Sequence, residues 1–194
     1  MINIIYEDLP ESIRINSKSY PVFTDFRDWI AFIDMFNDEN LNSKEKLLLS
    51  LRWFSDTVPD DLQEAFNGLV KFASADEISF HSTKSSAGGS SAPVLSYLYD
   101  SVYIFSAFLQ VYNINLKTVK YMHWYEFRAL LDGLPEDTPV KKRMAYRAVN
   151  IAEIKDKKER ARIRKIQRDI ALPARELSAY DAGSVFGQEV NYVI

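Results

Sequence analysis

Residues 98–112 read Leu-Tyr-Asp-Ser-Val-Tyr-Ile-Phe-Ser-Ala-Phe-Leu-Gln-Val-Tyr. Leu98, Val102, Phe105, Leu109 and Tyr112 recur at intervals of 4, 3, 4 and 3, the spacing of one helix face, and Ile104, Phe108 and Val111 widen it. The pattern predicts a long helix buried over about half its circumference. It reads as core in preference to an aromatic ligand pocket. The same period recurs on both sides. Phe26, Trp29, Ile30, Ile33 and Phe36 follow Thr24 or Asp25 as a helix N-cap. A leucine-rich helix opens at Ser43 and reaches Trp53-Phe54. Leu62, Phe66, Leu69, Val70 and Ala73 follow Pro59-Asp60-Asp61, where proline suits the first turn and the acids suit the positive end of the dipole. Trp124, Phe127 and Leu130 or Leu131 mark a helix from about Lys120, and Thr138-Pro139 starts a short one through Val149. The last helix runs from Lys155 or Asp156 to Ala171, with a narrow stripe of Ile163, Ile166 and Ile170. Only the N-terminus departs from this period. Ser12–Ile15 and Ser19–Val22 flank Asn16-Ser17-Lys18 as a small hairpin. The expected fold is mainly α: a multi-helix bundle with a small N-terminal β-hairpin and a basic C-terminal helix.

The composition agrees with a globular chain. Of 194 residues, 47% are hydrophobic, 13% aromatic and 26% charged, enough to build a core. With no cysteine, disulfides and cysteine-ligated metal centres are excluded. No apolar run is long enough to span a bilayer, so no membrane partner is expected. The opening Met-Ile-Asn-Ile-Ile-Tyr-Glu-Asp is unlike a signal peptide, which favours an intracellular setting. Residues 82–92, Ser-Thr-Lys-Ser-Ser-Ala-Gly-Gly-Ser-Ser-Ala, read as a flexible linker. The expected organisation is a hairpin-plus-helical half at 1–80, a linker at 81–92, a helical half at 93–172 and a tail at 173–194.

The net charge of −3 conceals a split. Residues 141–170 hold twelve Lys/Arg against four Asp/Glu, +8, whereas residues 1–140 hold eleven against twenty, −9. Catalytic signatures are missing from the sequence: phosphate-binding glycine loops, a nucleophile elbow and a paired-histidine zinc motif. His123 reads as a packing or capping residue and His81 as solvated, while Asp60-Asp61 and Glu136-Asp137 read as helix-start charges. No catalytic, metal or cofactor residue is assigned, and a non-enzymatic protein is expected. The basic segment is the main candidate for contact. Lys141, Lys142, Arg143 and Arg147 share one short helix, and Lys157, Lys158, Arg160, Arg164 and Arg168 lie on the next. Three readings stay open. It is a solvated helix with internal i,i+3 and i,i+4 pairs, a surface for an acidic protein such as another copy, or a phosphate-binding segment over 141–168 that contacts DNA. The tail ends apolar, and Val190, Tyr192, Val193 and Ile194 form a candidate docking peptide.

The back half also carries a resemblance. Asp100, Tyr103, Ile104, Ala107, Phe108, Gln110, Tyr112, Ile114 and Leu116 precede His123-Trp124, Phe127, Ala129-Leu130 and Gly133-Leu134. Arg143, Tyr146 and Arg147 follow, then Arg160 to Lys165 and Ala171-Leu172-Pro173. With Leu9-Pro10, Tyr20-Pro21 and Thr24-Asp25-Phe26-Arg27, this resembles the bacteriophage gene-product-fifteen family over about residues 9–173. The resemblance implies a tail-morphogenesis role in siphophages and their prophages. It implies a tail assembly chaperone that binds the tape-measure protein and meets the tail tube protein, self-associates, and works in the host cell cytoplasm. It brings no catalytic residues. A DNA-contacting structural or packaging protein is the alternative.

Overall fold

The structure, a computed structural model, describes residues 2–78 and 93–172. The expected linker at 81–92 and the tail at 173–194, including Val190, Tyr192, Val193 and Ile194, lie outside the described residues, as does His81. The chain is mainly helical with one small hairpin. Its elements are β1 (Ser12–Ile15), β2 (Lys18–Pro21), α1 (Phe26–Asn37), α2 (Ser43–Ser50), α3 (Leu62–Ser74), α4 (Ser101–Tyr112), α5 (Trp124–Asp132), α6 (Pro139–Ala148) and α7 (Lys157–Asp169). It divides into two compact units. Of the described residues, 2–78 and 120–130 belong to the first, and 93–119 and 131–172 to the second.

In the first unit, β1 and β2 pair antiparallel with Ile15 opposite Lys18. Asn16 and Ser17 make the two-residue turn, both at positive φ (47° and 68°). That conformation matches the twist of a hairpin and comes readily to asparagine. Ile13, Ile15 and Tyr20 are buried. β1 packs on α3, where Gly68 leaves room for it: a Cβ on Gly68 would lie 2.5 Å from Ile13 Cγ2.

Helix starts in this unit obey local side-chain chemistry. Asp25 caps α1 by accepting from the Arg27 N–H, and Asp61 caps α3 by accepting from the Glu64 N–H. Asn42 and Glu45 form a capping box on α2. The core is aromatic. Trp29 stacks on Phe72 at 4.5 Å between centroids, and Phe26 stacks on Phe127 at 4.8 Å. Each indole N–H finds a carbonyl: Trp29 that of Phe23, Trp53 that of Asp28 and Trp124 that of Ala73. Residues 120–130 join this unit through backbone bonds to the α1 start. The Trp124 N–H donates to the Thr24 carbonyl at 2.7 Å and the Phe26 N–H to that of Met122 at 3.0 Å. The Tyr121 and Thr24 hydroxyls lie 2.8 Å apart.

In the second unit, α4 packs on α6 and α6 on α7. Here the sequence expectation needs correction. α4 begins at Ser101, and its buried residues are Ile104, Ala107 and Phe108. Leu98 before it, and Val102 and Leu109 within it, are 61%, 71% and 41% exposed. The physical reason lies one residue ahead of the helix. Asp100 is fully buried against two arginines. It shares a face with Ile104 and Ala107 at i, i+4 and i+7. An almost uniformly apolar helix has no unique inward face, and the buried carboxylate selects one.

Candidate interaction surface

α6 starts where the sequence places it, with Thr138 as N-cap and Pro139 in the first turn. α7 starts at Asp156, whose side chain accepts from the Glu159 N–H at 2.7 Å. The two helices carry the basic candidates but use them differently.

The α6 cations turn largely to internal work. Arg143 Nε donates to Asp100 Oδ1 at 3.1 Å, and its guanidinium sits 4.3 Å from the Tyr103 ring centroid. Arg147 grips the same carboxylate with Nη1 and Nη2. Its Nε also donates to the Ile170 carbonyl and its Nη1 to the Val94 carbonyl, each at 2.9 Å. One guanidinium therefore ties the start of α4, the end of α7 and the segment before α4. Burial pushes the Asp100 pKa up, but the Arg147, Ser96 and Arg143 contacts outweigh it and leave the carboxyl below its ordinary range. Lys141 Nζ donates to the Asp132 carbonyl at 2.9 Å, while Lys142 is exposed.

α7 presents the open cationic surface. Ile163 is buried, Ile166 and Ile170 are half-buried, and Gln167 donates to the Tyr146 and Val149 carbonyls. On the opposite side Lys157, Arg164 and Arg168 fall at i, i+7 and i+11, with Lys158 and Lys165 beside them. All five are exposed. Among the described residues, Arg168 pairs at 3.9 Å with the adjacent Asp169. The stripe runs about 16 Å at the helix rise of about 1.5 Å per residue. Arg160 does not belong to it, because its Nε donates to the Ile154 carbonyl at 2.9 Å. Arg162 pairs with Glu159 at 2.9 Å. The candidate set thus separates into an outward group (Lys157, Lys158, Arg164, Arg168, with Lys142 exposed on α6) and a group bound internally (Lys141, Arg143, Arg147, Arg160). Lys165, another cation of the basic segment, also faces outward, at i+7 from Lys158.

His123 caps α5. Its Nδ1 accepts from the Tyr125 N–H at 3.0 Å, and Glu126 Oε2 accepts from the His123 N–H at 2.9 Å. Nε2 lies 3.1 Å from the Pro10 carbonyl, which fixes the proton on that nitrogen. Burial lowers the His123 pKa, partly offset by the Pro10 carbonyl, Glu126 and Glu11. Among the described residues, no group of three or more His, Cys, Asp or Glu is placed to hold a metal ion. No described helix is long and apolar enough to cross a membrane.

The fold and surface define a class: a mainly helical protein of two units with a cationic helix face and an apolar helix face open to solvent. Residues 5–172 match the family model described as Bacteriophage Gp15 protein, and the chain belongs to that family, which places it among phage structural or morphogenesis proteins. No curated protein and no solved structure gives a match.

Proposed function

We propose that the protein is a non-enzymatic tail assembly chaperone that holds the tape-measure protein and self-associates in the host cytoplasm until tail tube subunits replace it. The observation that carries this reading is the charge division between the units. The described residues of the first unit hold nine Lys/Arg against sixteen Asp/Glu, −7, and those of the second hold thirteen against eight, +5. A cationic face on one copy then complements the acidic unit of the next, and such head-to-tail contacts build rings or spirals. The exposed apolar residues of α4 supply surface of the kind a holding chaperone needs. Family membership supports the setting in phage assembly.

The test is co-expression with the tape-measure and tube proteins encoded in the same tail region. Soluble tape-measure protein that co-purifies with this chain is the expected result. Tape-measure protein that precipitates equally with and without it defeats the reading. The α7 stripe also fits the alternative, a DNA-contacting protein. Duplex DNA binding at about 50 mM salt that collapses steeply by about 200 mM would favour that reading.

A further inference from the structure

We propose that the exposed face of α4 pairs with the same face of a second copy of this chain, antiparallel and about a two-fold axis. Four side chains carry the pairing. Leu98, Val102, Phe105 and Leu109 follow one another at intervals of 4, 3 and 4. Leu98 lies in the turn before α4, where the Asp100 N–H reaches the Ser96 carbonyl at 2.9 Å. Leu98, Val102 and Leu109 are exposed, and Phe105 is half-buried. The helix packs into its own unit through Ile104, Ala107 and Phe108, and the stripe lies on another side.

A second copy fits this stripe by spacing, charge and size. The interval 4, 3, 4 reads the same in both directions. An antiparallel copy therefore meets it residue for residue, Leu98 against Leu109 and Val102 against Phe105, each pair occurring twice. A two-fold contact sets a surface against itself, so a charged surface would meet like charge. From Leu98 to Tyr112 the one charged side chain in the sequence is Asp100, which is buried against Arg143 and Arg147. The face of α4 can meet itself where the cationic face of α7 cannot. Two such helices, packed over about three turns with Tyr99 at the margin, bury on the order of 1,000 Å² in all, the size of weak, reversible contacts. The contact differs in kind from the charge-paired head-to-tail association. It is apolar and isologous, and salt does not weaken it. It does not rest on the chaperone reading.

The cysteine-free sequence makes the test direct. Leu98→Cys and Leu109→Cys are prepared separately in the full chain, one of them isotope-labelled. They are mixed in equal amounts under mild oxidation at about 500 mM salt, which screens contacts between charges. In the antiparallel pair the two positions oppose each other. Two copies of residue 98, or two of residue 109, then stand about 16 Å apart along the axis, eleven residues at about 1.5 Å each. A disulfide bridges Cα atoms no more than about 7 Å apart. Mixed disulfide dimers are expected to exceed each like-with-like dimer at least about tenfold, against about twofold for random collision. Sedimentation of the unsubstituted protein at the same salt needs no variant to fold, and its dimer fraction should rise between about 10 and about 500 μM. Random proportions of the disulfide dimers, or an excess of like-with-like dimers, overturn the proposal. Unsubstituted protein that stays monomeric across that range also overturns it and leaves the α4 face to a different partner.

Discussion

Asp100 is the residue on which the second unit turns. It is wholly buried, yet three donors keep it ionised: Arg143, Arg147 and the Ser96 N–H. Removing one partner of a buried pair leaves the other charge uncompensated, which costs more than the pair contributes. Asp100→Asn should therefore destabilise the protein by about 3 kcal/mol, read as a lowered urea midpoint. Arg147→Lys should also destabilise, because an ammonium cannot bridge Asp100, Ile170 and Val94 together. His123 gives a second prediction at this scale. Its folded pKa lies below its ordinary value, so as pH falls the unfolded chain takes up the proton first. The stabilisation is full above about pH 6.5 and is lost as pH falls through the folded value. The urea midpoint should drop between pH 7.5 and pH 5.5, and drop less in His123→Asn, which keeps a capping side chain. An unchanged difference in that variant would assign the pH dependence to other groups.

At the scale of elements, Gly68 and α4 show where local sequence runs out. Asp25, Asp61 and Asp156 are legible as helix starts because capping is short-range chemistry written within four residues, whereas Thr138 makes no side-chain cap and the α6 start is marked by Pro139, and Pro59, expected in the first turn of α3, lies ahead of that helix. The hairpin is legible for the same reason, although β2 starts at Lys18 and Asn16-Ser17 alone form its turn. The face of α4 is not legible. Leu98, Val102 and Leu109 match a helical stripe as well as Ile104 and Phe108 do, and an ion pair to residues 43 and 47 positions away decides between them. The division of the basic residues fails for a like reason: Arg147 and Arg164 look alike in sequence, and only tertiary acceptors distinguish them. Gly68 is a helix-interior glycine whose reason is a strand, β1, more than fifty residues earlier. In an open helix, Gly→Ala stabilises by about 1 kcal/mol. Here the new methyl meets Ile13 Cγ2, which sits at a branched Cβ on the hairpin and cannot swing aside. Gly68→Ala should destabilise by about 1–3 kcal/mol, the usual cost of overpacking. Thermal unfolding checks the sign, and a raised melting temperature would show that the hairpin yields easily.

For the molecule as a whole, the charge division survives the exchange of residues between the sequence halves. Residues 120–130 fold with the first unit and bring Lys120 and Arg128 against Glu126, so the units stand at −7 and +5. The acidic unit exposes Asp56, Asp60, Asp61 and Glu64 around the start of α3, and the basic unit exposes the α7 stripe. If copies associate through these faces, the attraction acts through water and is screened by salt. The screening length falls from about 10 Å at 0.1 M to about 3 Å at 1 M ionic strength. Sedimentation should therefore show larger species at about 50 mM salt than at about 500 mM. Lys157→Glu/Arg164→Glu/Arg168→Glu should abolish the difference while leaving stability within about 0.5 kcal/mol, since all three side chains face solvent. Arg160→Glu is the contrasting variant, because it removes donors from the Ile154 carbonyl and should lower stability by about 1 kcal/mol. A second reversal, Asp60→Lys/Asp61→Lys/Glu64→Lys, should weaken association alone and restore it when mixed with the α7 triple variant. That restoration requires the two faces to meet in complementary pairs. Charge loss alone would leave the mixture as dissociated as either variant.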